Sequence, residues 1–270
     1  MDSPGRLAPL GDLGPVRLQP DLGKTGYLDM LIHKLFLRYF KTGDDAGFFL
    51  MQAQDAVDWL GKSGIALDGG TSALDLGCGY GQLGSELQKK GCLVSFADVE
   101  DLLLPDIQPE SFSIVDVTRD DLGAIGTYDL VVFSNVLEHI SRPDYFIANA
   151  HKLLNPGGKL YLSWVNWLSP WGGHHFSGFH YLGPKRGHLV YDRVMKKPRA
   201  HTPYVDLFPT SIGATLEMIR MNSELRILTV VPRYYPELRF ITRIPVLREF
   251  LTGNCAILME KVRGGGDTDS

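Results

Sequence analysis

The chain has 270 residues, 44% of them apolar and 21% charged, a length that allows one large domain or two small ones at ~150 residues each. Such a chain buries enough surface to need no disulfide or metal staple. Its 27 Lys and Arg against 31 Asp and Glu leave a net charge of −4, which excludes a protein whose main work is coating nucleic acid but permits a local basic patch.

Residues 1–25 and the tail at 263–270 have the composition of disordered ends. Leu28, Leu31, Ile32, Leu35, Phe36 and Tyr39 keep helical spacing up to Gly43, and Phe49, Ala53, Ala56, Val57 and Leu60 predict a second helix stopped by Gly61. The pattern then changes to short apolar runs alternating with helices. Strands are predicted at Ser72–Leu76, Leu93–Ala97, Phe112–Val115 and Leu130–Phe133, with a helix around Leu83 and Leu87 between the first two. Ser141-Arg142-Pro143-Asp144 reads as a helix start, with a hydroxyl cap and an early proline. That helix runs through Phe146, Ala150, Leu153 and Leu154 until Asn155-Pro156-Gly157-Gly158 breaks it, and a fifth strand follows at Lys159–Val165. A helix at Thr215–Met221 and strands at Ile227–Val231 and Cys255–Lys261 complete the series. Continuous apolar strands alternating with helices mean a mostly parallel sheet covered on both faces. The expected architecture is one doubly wound α/β domain over residues 26–262, with N-terminal helices at 26–62 and an insertion at 166–205.

The three cysteines, Cys78, Cys92 and Cys255, lie far apart with no CxxC spacing, so neither a disulfide framework nor a zinc ribbon is expected. No apolar run reaches the ~18 residues of a membrane span, and the Gly- and Pro-rich start lacks the pattern of a signal peptide. A cytoplasmic protein is the expectation.

The central feature is Asp75-Leu76-Gly77-Cys78-Gly79-Tyr80-Gly81-Gln82-Leu83-Gly84, placed where the first strand turns into a helix. Ligands of open α/β sheets bind at that edge. Gly79, Gly81 and Gly84 also satisfy G-x-G-x-x-G, and Asp98 follows at the distance of a ribose-binding acid, so the spacing permits a dinucleotide and a nicotinamide oxidoreductase. Charge separates the two readings. A pyrophosphate wants helix amides and no anion nearby, whereas Asp75 precedes the first glycine. S-adenosylmethionine (SAM) brings an ammonium and a sulfonium and no phosphate, and an acid suits both. Gly23-Lys24-Thr25 and Gly61-Lys62-Ser63 lack the upstream glycine of a phosphate loop, since Leu18 and Ala56 stand there.

With these residues in view the chain resembles the class I SAM-dependent methyltransferases. Asp75-Leu-Gly-Cys-Gly-Tyr-Gly matches their first motif; Asp98, Asp116, Tyr128-Asp-Leu-Val-Val-Phe-Ser-Asn-Val-Leu-Glu-His139 and Leu154-Asn-Pro-Gly-Gly-Lys-Leu-Tyr161 follow in the same order, over residues 72–165. The resemblance implies a Rossmann-like seven-stranded sheet with SAM held by the turn from Asp75 through Gly77, Cys78, Gly79 and Tyr80 to Gly81. Gly77 and Gly79 would line the methionine portion. Asp98, with Val99 beside it, would accept from the ribose hydroxyls; Asp116, with Val117, would accept from the adenine amino group; Ser134 and Asn135 would face the methyl group. S-adenosylhomocysteine (SAH) would be the product.

Methyl transfer from a sulfonium is an in-line displacement that asks the protein mainly to align the acceptor and, at times, to remove a proton. His139 is one candidate base. Some relatives hold a divalent cation through Glu-x-x-Glu-His, but here Asn135 replaces the first carboxylate, so no metal is expected. Residues 161–191, from the fifth strand into the insertion, hold Trp164, Trp167 and Trp171, and five of the eight histidines lie between positions 174 and 201. Aromatic walls with a few polar groups suit an acceptor pocket, which makes His174, His175 and His180 the better base candidates. A zinc site from these histidines lacks Cys or acid partners in range, and the aromatics also fit peripheral contact with a lipid surface. Lys185, Arg186, Arg193, Lys196, Lys197 and Arg199 form a basic stretch suited to an anionic acceptor. Ser134-Asn-Val-Leu lacks the Asn/Asp-Pro-Pro-aromatic arrangement that stacks a flipped base, which disfavours nucleic acid. The expected activity is methylation of a small-molecule or lipid- or glycan-linked acceptor at oxygen. Alternatives are methylation at carbon or nitrogen of a quinone-like molecule and a SAM-binding module without chemistry.

Overall fold

The computed structural model describes residues 45–196 and 201–262. The predicted first helix (28–39) and both predicted disordered ends lie outside the described residues. Helix α1 (Asp45–Lys62) contains the predicted second helix, and Ala53, Ala56, Val57 and Leu60 are all buried, at the spacing that puts them on one face.

Seven strands form one sheet: β1 (Ser72–Leu76), β2 (Leu93–Asp98), β3 (Phe112–Ile114), β4 (Tyr128–Ser134), β5 (Leu154–Val165), β6 (Leu225–Pro232) and β7 (Asn254–Lys261). Their order is β3-β2-β1-β4-β5-β7-β6. The first five pair in parallel, and β7 runs antiparallel to both β5 and β6. This is the expected doubly wound, mostly parallel sheet.

The strands have hydrophobic residues on both faces because both faces are covered. Leu74, Leu76, Val131, Phe133, Leu160, Leu162 and Trp164 point into one core, roofed by α3 (Pro143–Asn149) and α5 (Ile212–Met221). Phe133 and Phe146 stack there at 4.0 Å. Ala73, Val94, Phe96, Leu130, Val132 and Tyr161 point the other way, into a second core with α1 and α2 (Gln82–Lys89). The alternation follows from the two-residue period of a strand.

Two boundaries differ from expectation. Helix α3 starts at Pro143 behind Arg142, which makes no side-chain cap, so Ser141 is not the cap. Strand β5 begins at Leu154 and runs for twelve residues, five earlier than the Asn-Pro-Gly-Gly break suggested. The break appears instead as a register shift opposite Tyr128 and Leu130. Gly158 permits it, since a Cβ there would sit 2.8 Å from the Tyr128 carbonyl.

The insertion leaves β5 at Val165 and carries helix α4 (Pro184–Met195) before the chain re-enters at α5. Trp167, Phe176, Tyr191 and Leu207 give it a small core of its own. After β6 come a 3-10 segment (Pro236–Arg243) and helix α6 (Pro245–Leu251), neither of which the hydrophobic pattern announced. No helix among the described residues is long and apolar enough to cross a membrane.

Candidate active site

Parallel strands end on one edge, and the loops leaving β1 to β5 meet there. The turn after β1 is built on glycine backbone geometry: Gly77 and Gly79 sit at φ of 67° and 51°, in the left-handed region that side chains disfavour. A Cβ at Gly77 would lie 2.5 Å from Val136 Cγ2, whereas at Gly79 nothing lies within 4 Å. The turn is therefore pressed against the β4 loop at one glycine and open at the other. The Gly77 amide donates to the Ala97 carbonyl at 2.7 Å, fixing the turn to β2.

Asp75 departs from expectation. It does not present an open acid to the crevice; it is buried, and its Oδ2 accepts from the Gly84 amide at 2.7 Å. Burial pushes its carboxyl up to about 7, against the Gly84 bond, and the charge of Asp98 adds to the rise. Asp75 thus ties the end of β1 to the first turn of α2. Cys78 is buried and Tyr80 exposed; neither lines the cavity described next, and neither does Gly81.

That cavity, of about 360 Å³, opens at the ends of β1 to β4. Gly77, Asp98 and Val99 form one wall, Asp116, Val117 and Thr118 a second, Phe133, Val136, His139 and Ile140 a third. Val205 and Phe208, at the end of the insertion, line the cavity's remaining side, with Val205 itself 72% exposed. Asp98 accepts from the Gly79 amide at 2.8 Å and from the Val99 amide at 2.7 Å. A carboxylate has about four acceptor sites, so capacity for two hydroxyls remains. Asp116 accepts from the Thr118 hydroxyl at 2.6 Å and the Thr118 amide at 2.9 Å, and these bonds, the hydroxyl's foremost, hold its carboxyl below the usual range despite partial burial. Two carboxylates and no Lys or Arg side chain line this cavity among the described residues. The charge preference read from Asp75 therefore rests chiefly on Asp98, because Asp116 is paired with the Arg119 guanidinium at 3.2 Å.

Ser134, the last residue of β4, and Asn135 after it were expected to face the methyl group but do not line that cavity; they stand in a buried polar network that sequence reasoning missed. Asn135, at φ 57°, donates to Gln52 Oε1 at 3.0 Å and accepts from Asn254 Nδ2 at 2.7 Å. Arg233, 4% exposed, reaches Ser134 Oγ and Ser163 Oγ at 3.2 Å and the Gln52 carbonyl at 2.8 Å. Asp55 faces the same guanidinium; burial raises its carboxyl to about 6, and Arg233 works against that rise. These residues come from α1, β4, β5, β6 and β7, so no local pattern could have joined them.

The histidines sort into two kinds. His180 is buried, its Nδ1 accepting from the Gly178 amide and its Nε2 facing the Ser169 carbonyl, both at 3.0 Å. Both ring nitrogens are occupied by backbone, so His180 has none to offer as a base. His139, in the cavity lining, instead gathers with His174 and His201, which lie outside that lining, with ligand atoms of the three within 4.8 Å of one another. Burial lowers His174 to about 3, with His139 and His201 adding to the fall. His175 is exposed and lies 6.2 Å from His201, ring to ring. Glu138 turns away from them: it is buried and accepts from the Val165 amide at 2.9 Å. The aromatic wall expected of the insertion is absent from this cavity; Trp167, Phe176 and Tyr191 pack its own core, and Trp171 is exposed.

A family described as a methyltransferase domain matches residues 74–160. The chain is 30% identical over 226 residues to an uncharacterized methyltransferase of Mycobacteroides abscessus, spanning 78% of this chain and 86% of that one. It is likewise 30% identical over 238 residues to one of Mycobacterium ulcerans, spanning 82% and 89%. With a relative in Mycobacterium avium, identity reaches 35% over 133 residues, about half of each chain (49% and 52%). The fold is similar to a SAM-dependent methyltransferase of Mesorhizobium loti, with a TM-score of 0.50 at 18% identity over 77% of this chain and 100% of that one. It is similar also to the magnesium protoporphyrin IX methyltransferase of Synechocystis, with a TM-score of 0.50 at 18% identity over 87% and 96%. The glycine turn after β1, the paired carboxylates of the cavity and these likenesses agree: the chain belongs to the class I SAM-dependent methyltransferases.

Proposed function

We propose that the cavity binds SAM and that the chain transfers its methyl group to a hydroxyl of a small-molecule or lipid- or glycan-linked acceptor, releasing SAH. The observation that carries this reading is the placement of Asp98 and Asp116 on two walls of one cavity that opens at Gly77 and, among the described residues, has no Lys or Arg side chain in its lining. A nucleoside with two hydroxyls and a positive sulfonium suits such a lining; a pyrophosphate does not. Val205 and Phe208 bring the end of the insertion to the cavity lining.

The displacement forms a carbon–oxygen bond as the carbon–sulfur bond breaks, with the hydroxyl proton leaving to a base. Of the four histidines expected as bases, His139 stands in the cavity wall, with His174 behind it and His175 farther out. Helix α4 supports an anionic, lipid-carried acceptor: Lys185, Arg186, Arg193 and Lys196 are exposed beside Leu189 and Val194, which are 61% and 60% exposed.

Melting of the purified protein with SAH and with a nicotinamide dinucleotide tests the cofactor. A ligand at a hundred times its dissociation constant stabilises by ~2.7 kcal/mol, so SAH raises Tm and the dinucleotide does not. Incubating cell extract with protein and methyl-labelled SAM then seeks a product heavier by one methylene; labelled carbon or nitrogen in place of oxygen would overturn the oxygen assignment.

A further inference from the structure

We infer that His139, His174 and His201 form a binding site for a divalent transition cation of the zinc class, at the seam between the insertion and the crevice wall. Each ring offers a nitrogen within 4.8 Å of the other two, and the three ring centroids lie 4.9 to 5.3 Å apart. The histidines arrive separately: His139 follows β4, while His174 and His201 stand far apart in the insertion. Only the packing of the insertion on the β4 loop makes them a set.

Packing alone leaves the set polar and underused. Nδ1 of His174 is buried with no hydrogen-bond partner, although buried polar atoms are ordinarily paired. His174 also holds a positive φ of 49°, an uncommon conformation for a side-chain-bearing residue that persists where surrounding contacts impose it.

A metal-ligating histidine ordinarily has its second nitrogen held by a carbonyl or carboxylate. Asp206 supplies both kinds: its backbone carbonyl lies 2.6 Å from His139 Nδ1, and its carboxylate lies 3.4 Å from His201 Nδ1. With its Nδ1 held by that carbonyl, His139 has Nε2 to offer to the set.

The donor set selects the ion. Three imidazoles without a carboxylate suit zinc and its neighbours and disfavour magnesium or calcium, which take oxygen ligands. Glu138, the acid next to His139, is held on the Val165 amide and stays out of the set. Three protein ligands leave a fourth position for water or an acceptor oxygen. Sequence spacing suggested no metal because it paired His139 with Asn135 and Glu138; the fold pairs it with the insertion.

The test uses the full chain, stripped of metal by chelator and dialysed. Calorimetric titration with Zn(II) should give one site per chain, and Co(II) should develop the intense visible absorption of a four-coordinate ion. Zinc should also raise Tm. His174→Ala and His201→Ala should each weaken binding at least tenfold and cancel the rise in Tm, while His188→Ala, outside the cluster, should change neither. Circular dichroism and SAH binding, followed in the same variants, show that loss of metal is not loss of fold or of the cofactor cavity. Absence of zinc binding in the folded wild-type protein overturns the inference. So does one-to-one binding that survives both cluster variants. Neither result decides methyl transfer itself, which SAH binding and product mass decide separately, although zinc held by His139 and His174 would take both rings out of the role of base.

Discussion

The Asp98 carboxylate accepts a hydrogen bond from the Gly79 amide at 2.8 Å, joining the end of β2 to the open part of the glycine turn. One residue thus shapes the turn and faces the cavity. Asp98→Asn keeps an oxygen for the Gly79 amide, turns an NH2 towards the Val99 amide and loses the negative charge. SAH affinity should fall at least tenfold, about 1.4 kcal/mol, with the free protein losing about 1 kcal/mol of stability from the unmade Val99 bond. Calorimetry of both proteins checks this, and equal affinities would remove Asp98 from the cofactor site.

Asp75 gives stability a pH signature. Its carboxyl is raised from 3.8 to about 7 in the fold, so the folded chain keeps a proton that the unfolded chain releases as pH rises through that interval. Its contribution is therefore full below pH 4 and declines as pH rises to 7. Asp75→Asn keeps an acceptor for the Gly84 amide and removes the titration. The wild-type urea midpoint minus that of the variant should fall steadily between pH 4 and 7 and then level off. A difference that rises across that interval contradicts the burial argument.

Arg233 holds the ends of β4 and β5 through Ser134, Ser163 and the Gln52 carbonyl. Arg233→Met leaves those groups and Asp55 without their buried cation and should cost about 3 kcal/mol or more. Arg233→Lys should recover less than half, because one ammonium lacks the guanidinium's fork. Chemical denaturation measures both, and a loss below about 1 kcal/mol in the Met variant would mean the network is solvated.

His180 and His175 separate structure from chemistry. His180→Ala breaks two backbone contacts and should lower stability by about 1–3 kcal/mol while leaving SAH affinity as it was. His175→Ala, at an exposed position, should stay within about 0.5 kcal/mol of wild type. Should His180→Ala keep full stability and lose turnover, its structural assignment fails.

Much of the fold was readable because strand β1, the glycine turn and helix α2 are contiguous in sequence, so periodicity and glycine placement carry them directly. The same holds for Asp98 and Asp116, each at or just past a strand end. Boundaries governed by contacts across the sheet were less legible: β5 starts early because Tyr128 and Leu130 on β4 shift register opposite it.

By itself the sequence determined the alternation of strands and helices and the glycine turn, since both depend on neighbours a few residues apart. Only the tertiary structure decided which way a side chain faces once the loops meet. It buried Asp75 under Gly84, enclosed His180 in backbone, gathered His139, His174 and His201, and seated Arg233 among residues of four elements. The physical reason is reach: a polar group chooses its partner by distance in space, and the insertion brings together residues that chain order keeps apart.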